Sequence, residues 1–174
     1  RSTARPGDVI WVSGTLGDAA LGLRVLKGLA ATEDEAFYLI ERYRRPEPRL
    51  ALGRRLVSLA HAAIDVSDGL LADLGHILEE SRLGARLDSH ALPVSPVAHG
   101  LPGWLEAALG GGDDYELLFS IAPEQVESLL SACLEAGQQI KEIGCLVADN
   151  GIVLVYPDGR PSEEIPHGFD HFRT

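Results

Sequence analysis

The fold of this chain is decided by one stretch, Ala62-Ala63-Ile64-Asp65-Val66-Ser67-Asp68-Gly69-Leu70-Leu71-Ala72-Asp73-Leu74. Its apolar run stops at Asp65, which is typical of a short buried strand. Apolar residues then recur at helical spacing, at positions 70, 71, 74 and 77, so a helix is expected to begin near Gly69. Ser67 or Asp68 is expected to cap that helix by accepting a hydrogen bond from a backbone N–H.

Two carboxylates and a hydroxyl meet at this junction of strand and helix. Ligands of α/β sheets bind beyond the carboxyl ends of strands, and phosphates bind at helix N-termini. Mg²⁺ prefers one or two carboxylates together with water and phosphate oxygens. Asp65, Ser67 and Asp68 are therefore candidates for a magnesium and phosphate site. The alternative at this point is an ordinary helix start with one extra acid for solubility.

The chain is acidic, because 15 Lys plus Arg against 26 Asp plus Glu give its 174 residues a net charge of −11. This excess argues against a nucleic-acid or membrane partner, since such surfaces bind basic patches. A protein of this charge needs metal ions to hold phosphates. Cys133 and Cys145 lack metal-ligand spacing and are expected to be reduced thiols of a cytoplasmic protein.

The start of the chain resembles the interior of a longer protein. Residues 1–8 lead through a Pro-Gly turn straight into a strand, and the sequence contains no methionine. We expect residues 1–174 to form one domain of a longer chain, large enough to bury its own core.

Hydrophobic periodicity predicts an α/β fold, in which helices cover a mixed sheet of about five to six strands. Strands are expected at 9–13, 62–65, 84–88, 115–121, 140–143 and 152–156. Helices are expected at 19–29, 33–43, 49–61, 69–81, 104–109 and 123–136, with an irregular loop over 91–103. The apolar helices at 19–29, 50–61 and 123–136 are expected to pack against the sheet.

Two further glycine-rich segments precede or follow predicted strands. Residues 14–18, GTLGD, lack the lysine of a P-loop and the spacing of a dinucleotide fold, so a structural turn is favoured over a phosphate cradle. Residues 110–114, GGGDD, allow a ligand to approach the backbone beside two acids, or form a flexible acidic turn. His167 and His171 have no third ligand at suitable spacing, which argues against a metal site there.

These motifs, taken in order, resemble the C-terminal half of the thiamine-monophosphate kinase family. The matching segments are RSTARPGDVIWVSGTLGDAALGL at 1–23, IDVSDGLLADLGHIL at 64–78, GARLD at 84–88, GGDDYELLF at 111–119 and GFDHF at 168–172. The resemblance implies a C-terminal α/β domain of the aminoimidazole-ribonucleotide-synthetase-type superfamily. It also implies a separate N-terminal domain, absent here, that carries most metal-binding aspartates and the interface of a homodimer.

The resemblance implies an activity as well. Family members transfer the γ-phosphoryl group of ATP to thiamine monophosphate by in-line attack, with several Mg²⁺ ions and no phosphoenzyme. Positioning and charge neutralisation dominate such reactions, so no nucleophilic Ser or Cys is required. Residues 1–174 alone are expected to be inactive. The alternatives are another ATP-dependent synthetase of the superfamily and a non-catalytic ligand-binding domain.

By motif position, the resemblance implies roles for six residues. Asp65 and Asp68 correspond to Mg²⁺ ligands, while Ser67 and Arg1 correspond to residues that contact ATP. Asp113 falls at the acidic position that meets the thiamine substrate, where many relatives carry Glu. Phe169 matches an aromatic residue that packs on the cationic ring, an arrangement that suits cation–π attraction.

The resemblance implies no ligand contact for three other acidic residues. Asp114 and Glu116 share the motif of Asp113 but are assigned no contact. Asp73 is expected to be a solvated helix residue or a group that lies behind the ligands.

Overall fold

The structure is a computed structural model that describes residues 2–156 and 160–161. Its strands are β1 (Val9–Ser13), β2 (Ala60–Asp65), β3 (Gly84–Asp88), β4 (Leu117–Ile121), β5 (Ile140–Val147) and β6 (Gly151–Val155). Its helices are α1 (Asp18–Leu26), α2 (Glu33–Arg44), α3 (Leu50–Leu56), α4 (Leu70–Ser81), α5 (Pro96–His99), α6 (Trp104–Gly110) and α7 (Val126–Ala136). Within these residues, none of the helices has the length and apolar character needed to cross a membrane.

The six strands form one mixed sheet in the order β2-β4-β1-β5-β3-β6, which confirms the predicted fold class. β4 is antiparallel to both β1 and β2, and β5 is antiparallel to both β1 and β3, whereas β6 is parallel to β3. β1, β2, β3 and β6 therefore all run in one direction and end at the same edge of the sheet. β4 and β5 begin at that edge, which we call the loop edge.

The core lies on both faces of this sheet, because successive strand side chains point to opposite sides. Ile10 and Val12 of β1 belong to a cluster that α4 and α6 cover, whereas Trp11, between them, joins Phe119 in a second cluster under α3 and α7. α1 differs from expectation, since Leu21 packs in a third cluster with α2, α5 and α6 rather than on the sheet. Apolar helical periodicity shows that a face is buried but not which element covers it.

Several boundaries differ from the sequence predictions. α3 ends at Leu56 and β2 already begins at Ala60, so the helix expected to reach 61 is shorter and the strand longer. α7 begins at Val126 after a 3₁₀ turn, Pro123–Gln125, that proline favours. The loop over 91–103 contains the short helix α5, which Ser95 caps. The strand expected from 115 begins only at Leu117, because Tyr115 has a left-handed φ of 52°.

β2 is the terminal strand of the sheet, and the prediction that it is a buried strand is wrong for every second residue. Ala62 and Ile64 are buried in the core, whereas Ala63 and Asp65 are exposed. The exposed face of β2 ends with the Asp65 carboxylate at the loop edge.

Candidate functional site

Three loops meet at the loop edge of the sheet. The β1 loop (14–17) follows β1, the β2 loop (66–69) follows β2, and the β4 loop (111–116) precedes β4. β4 lies between β1 and β2 in the sheet, so the β4 loop lies between the other two loops. The topology thus brings together the three glycine- and acid-rich motifs of the sequence.

The β2 and β4 loops are joined by backbone hydrogen bonds that continue the pairing of their strands. Val66 N–H donates to Glu116 O at 2.8 Å, and Tyr115 N–H donates to Val66 O at 2.8 Å. One step further, Asp113 N–H donates to Ser67 O at 3.0 Å. These bonds fix Ser67 and Asp113, two residues with proposed ligand roles, in one connected piece of backbone.

Two glycines are required where these loops touch. A Cβ atom on Gly112 would lie 2.3 Å from Ser67 O, and one on Gly69 would lie 2.8 Å from the carbonyl carbon of Gly110. Gly69 also has a φ of 111°, which L side chains rarely adopt. Gly69 therefore allows the end of α6 to approach the start of α4 closely.

The start of α4 is held by Asp73 and not by the expected caps. Gly69 is the N-cap residue and makes no side-chain cap bond. Asp73, in the first turn, instead accepts hydrogen bonds at Oδ2 from Ser67 N–H at 2.9 Å and Asp68 N–H at 3.0 Å. Neither Ser67 nor Asp68 is therefore the N-cap residue of α4. Asp73 is 2% exposed, so its alternative as a solvated residue is wrong, and it lies behind the loop.

The carboxylates of this region act on one another. Burial raises the pKa of Asp73 above its ordinary value, the two N–H donors lower it, and the charges of Asp68 and Asp65 raise it again. Oxygen atoms of Asp68 and Asp73 and a ring nitrogen of His76 all lie within 4.8 Å of one another. Hard oxygen donors at this spacing fit Mg²⁺, and a cation there would offset the repulsion.

His76 was missed by the sequence interpretation. It follows Asp73 by three residues on α4, and residues at that spacing lie on the same face of a helix. The DLGH segment therefore carried a signal for this pair, although a lone exposed histidine is by itself no indication of a ligand.

Asp114 of the β4 loop is internal. Its side chain accepts hydrogen bonds from Gly17 N–H at 2.6 Å and Ala19 N–H at 3.1 Å, and so provides from another loop the cap that α1 lacks in its own sequence. The residue is 2% exposed. Burial raises the pKa of Asp114 to about 7, against the lowering effect of the two N–H donors.

Glu116 is internal as well and lies in a dense ionic cluster. Arg49 binds it in a bidentate manner, with Nε at 2.8 Å from Oε2 and Nη2 at 2.7 Å from Oε1. Arg42 Nη2 donates to Oε1 at 3.0 Å and Ser13 Oγ donates to Oε2 at 2.6 Å. Burial alone would raise the pKa of Glu116, but the bonds from Arg49 and Ser13 hold it below its ordinary value.

Asp18, the last residue of the GTLGD segment, has a structural role. It accepts hydrogen bonds from Thr15 Oγ1 at 2.6 Å, Tyr38 OH at 3.0 Å and Ser95 Oγ at 2.6 Å. Arg42 Nε lies 3.5 Å from its Oδ2. The structural interpretation of this segment is confirmed for Asp18, which joins the β1 loop to α2 and to the turn before α5.

Asp113 and Tyr115 alternate with the two internal acids. Their φ angles are 68° and 52°, in the left-handed region that bulky residues seldom occupy. Asp113 is half-buried and Tyr115 is exposed over 40% of its surface. The β4 loop therefore directs positions 114 and 116 into the protein and leaves 113 and 115 accessible.

The predicted site residues divide into two groups. Ser67, Asp68 and Asp113 lie on the two hydrogen-bonded loops at the loop edge, and Asp65 ends β2 directly before the β2 loop. Arg1, Phe169, His167 and His171, together with the GFDHF motif, lie outside the described residues.

The chain matches the family described as AIR synthase related protein, C-terminal domain, over residues 5–157. It is 44% identical to the thiamine-monophosphate kinase of Escherichia coli O157:H7 over 180 aligned positions, covering 100% of this chain and 55% of that protein. The crystal structure of thiamine-monophosphate kinase from Stenotrophomonas maltophilia K279a is 41% identical, with a TM-score of 0.83 over 92% of this chain and 53% of that one.

AaThiL complexed with AMPPCP and TMP is 33% identical, with a TM-score of 0.80 over 98% of this chain and 53% of that chain. This chain therefore spans about half the length of the relatives that it matches. The resemblance first indicated by the sequence motifs is confirmed by these similarities.

Proposed function

Because this chain belongs to the family of the AIR synthase related protein C-terminal domain, we propose that it forms the C-terminal half of a thiamine-monophosphate kinase. The reaction transfers the γ-phosphoryl group of ATP to thiamine monophosphate and gives thiamine diphosphate and ADP. The observation that carries the proposal is the acidic β2 loop at the start of α4, in a chain whose relatives are named for this reaction.

In this proposal Asp65 and Asp68 are ligands of Mg²⁺. They approach Asp73 closely enough for their charges to raise its pKa, so the region favours a cation. Bound Mg²⁺ supplies neutralisation of the charge on the phosphates and on the transferred group. Asp73 holds the backbone N–H groups of Ser67 and Asp68, which sets the shape of the loop before any ligand arrives.

The two substrates are assigned to neighbouring parts of the loop edge. Ser67 contacts a phosphate of ATP, and the carboxylate of Asp113 faces the cationic ring of thiamine monophosphate. The complex of AaThiL with AMPPCP and TMP supports both classes of ligand. Arg1, as an ATP contact, and Phe169, as an aromatic partner of the substrate, are proposed from the sequence motifs alone.

The rest of the machinery is proposed to lie outside residues 1–174. Asp65 and Asp68 are too few to hold several Mg²⁺ ions, so an N-terminal domain is needed to supply further ligands. We propose that the intact enzyme is a cytoplasmic homodimer and that residues 1–174 alone do not phosphorylate thiamine monophosphate.

The test is a phosphoryl-transfer assay on the intact protein with ATP, Mg²⁺ and thiamine monophosphate, in which thiamine diphosphate is measured. Asp65→Asn is expected to lower kcat by about a hundredfold or more, because a metal ligand loses its charge. Its melting temperature is expected to change little, since Asp65 is exposed. Asp149→Asn is the matched control, because Asp149 is an exposed acid in the β5–β6 turn at the opposite edge.

Each outcome decides between functions. Thiamine diphosphate formation that depends on Asp65 and not on Asp149 supports the kinase. ATP consumption without thiamine diphosphate would point to a sister synthetase of the superfamily. Equal kcat for Asp65→Asn and the parent would remove Asp65 from the metal site.

A further inference from the structure

We propose that Tyr115 contacts the substrate directly and places its aromatic face against the cationic ring, beside the carboxylate of Asp113. This inference rests on the proposed function and adds to it a residue that sets the substrate class of the site. It is carried by a strained backbone position that bears an exposed aromatic side chain at the junction of the β2 and β4 loops.

The backbone of Tyr115 is unfavourable for tyrosine. Its φ of 52° lies in the left-handed region, where Gly and Asn are tolerated and a bulky side chain raises the free energy of the folded state. In the described part of the chain, the other non-glycine residues with positive φ are Arg82 and Asp113. Two of these three strained residues therefore belong to the β4 loop.

Nothing in the local fold requires an aromatic side chain at this position. The Tyr115 N–H bond to Val66 O involves only the backbone, so any residue except proline would make it. The loop is held to the protein by the side chains of Asp114 and Glu116, which bind the start of α1 and the arginines of the ionic cluster. With 40% of its surface exposed, Tyr115 also gains less from burial than a core aromatic does.

The chemistry of the neighbouring groups points to a cation. An aromatic face attracts a cation through its quadrupole, and a carboxylate two residues away adds a full negative charge. The same backbone ladder joins Tyr115 and Asp113 to Val66 and Ser67 of the β2 loop. A substrate with a phosphate at one end and a cationic ring at the other can therefore bind both loops at once.

The experiment measures KM and kcat of the intact enzyme for thiamine monophosphate and for ATP in three variants. Tyr115→Leu and Tyr115→Asn are expected to raise the KM for thiamine monophosphate about 3- to 30-fold, the range of a cation–π contact, with the KM for ATP unchanged. Tyr115→Phe keeps the aromatic face and is expected to stay within twofold of the parent. Phe37→Leu, at an exposed aromatic of α2, is the control.

Tyr115→Asn separates contact from fold. Asn tolerates a left-handed φ, so this variant is expected to melt at the parent's temperature or above while it binds thiamine monophosphate more weakly. A higher melting temperature with an unchanged KM for thiamine monophosphate would overturn the inference. The strained tyrosine would then destabilise the fold without contributing to substrate binding.

A substrate analogue with a neutral thiophene ring in place of the thiazolium gives a second readout. The parent's preference for the cationic substrate in kcat/KM is expected to shrink in Tyr115→Leu, and an unchanged preference would overturn the inference. Failure of the parent to phosphorylate thiamine monophosphate would overturn the proposed function and this inference with it. An active parent with unaffected Tyr115 variants would overturn this inference alone.

Discussion

Carboxylates lie in or beside both the β2 loop and the β4 loop at one edge of the sheet, yet their burial and surroundings differ. In the β4 loop, Asp114 and Glu116 are buried and bound by N–H groups or arginines. Around the β2 loop, Asp65 is exposed, Asp68 is half-buried, and their charges act on Asp73. The difference teaches that an acidic motif contributes to the fold where its charges are neutralised internally, whereas the exposed and half-buried acids around the β2 loop are the ones that we propose bind a cation.

Removal of a neutralised charge is expected to have the largest effect on stability. Glu116→Ala removes the buried carboxylate that Arg42 and Arg49, two largely buried cations, share, and leaves them only Asp18 and Glu47 as acidic neighbours. We expect a loss of about 3–5 kcal/mol in the free energy of unfolding. Urea unfolding measures it, and Asp65→Asn is the comparison, because its effect is expected on kcat and not on stability.

If Glu116→Ala lost no more free energy of unfolding than Asp65→Asn, the contrast between the two loops would be wrong. Glu116→Gln tests the contribution of the charge separately. Gln keeps the shape and one acceptor but not the charge, so an intermediate loss is expected.

Asp73 shares features of both loops, since it is buried in the first turn of α4 and yet binds the backbone of the β2 loop. Asp73→Ala removes the acceptor of two backbone N–H groups and is expected to cost about 1–3 kcal/mol of stability. Asp73→Asn retains an acceptor oxygen and is expected to lose less. Thermal melting of both variants checks this order, and equal losses would show that the charge rather than the hydrogen bonds matters.

The last effect expected on stability is a pH dependence from Asp114. Its pKa is about 7 in the fold against an ordinary 3.8, so between these values the folded state binds more protons than the unfolded state. The contribution of Asp114 to stability is therefore fully present below about pH 4 and falls as pH rises towards 7. Above pH 7 the carboxylate is ionised in both states.

Urea unfolding at pH 5 and pH 8 tests this sign. The side chain of Asn cannot ionise. The stability of Asp114→Asn relative to the parent is therefore expected to be higher at pH 8 than at pH 5. An unchanged difference between pH 5 and pH 8 would show that the two N–H donors outweigh burial and keep the carboxylate ionised at both pH values.

Much of the fold could be predicted because its signals are local. The β-favouring run at residues 9–13 and the alternation over 84–88 located β1 and β3 without error, and the mixed sheet followed from the count of such segments. The β2 loop was recognised for the same reason, since its acids and its helix start are adjacent in the chain. The start of β4 was predicted too early, because tyrosine favours strands, whereas Tyr115 has a left-handed φ.

The distinction between the two kinds of acid could not be predicted from neighbours in sequence. Glu116 is neutralised by Arg49 and Arg42, which lie 67 and 74 positions away, and Asp114 caps a helix start 97 positions away. Asp73 was left between a solvated and an internal role, because helical spacing does not reveal that its carboxylate turns back towards Ser67. Long-range partners decide these cases.

The alternation of the β4 loop has a consequence for enzyme engineering. Positions 114 and 116 anchor the loop, whereas 113 and 115 are accessible, so we expect the fold to tolerate replacement at every second residue but no change in loop length. A single insertion or deletion would exchange anchors and accessible positions, and would place Tyr115 where a carboxylate is needed. Under the proposed function, a mutant library intended to alter substrate preference would therefore randomise 113 and 115 together at constant loop length.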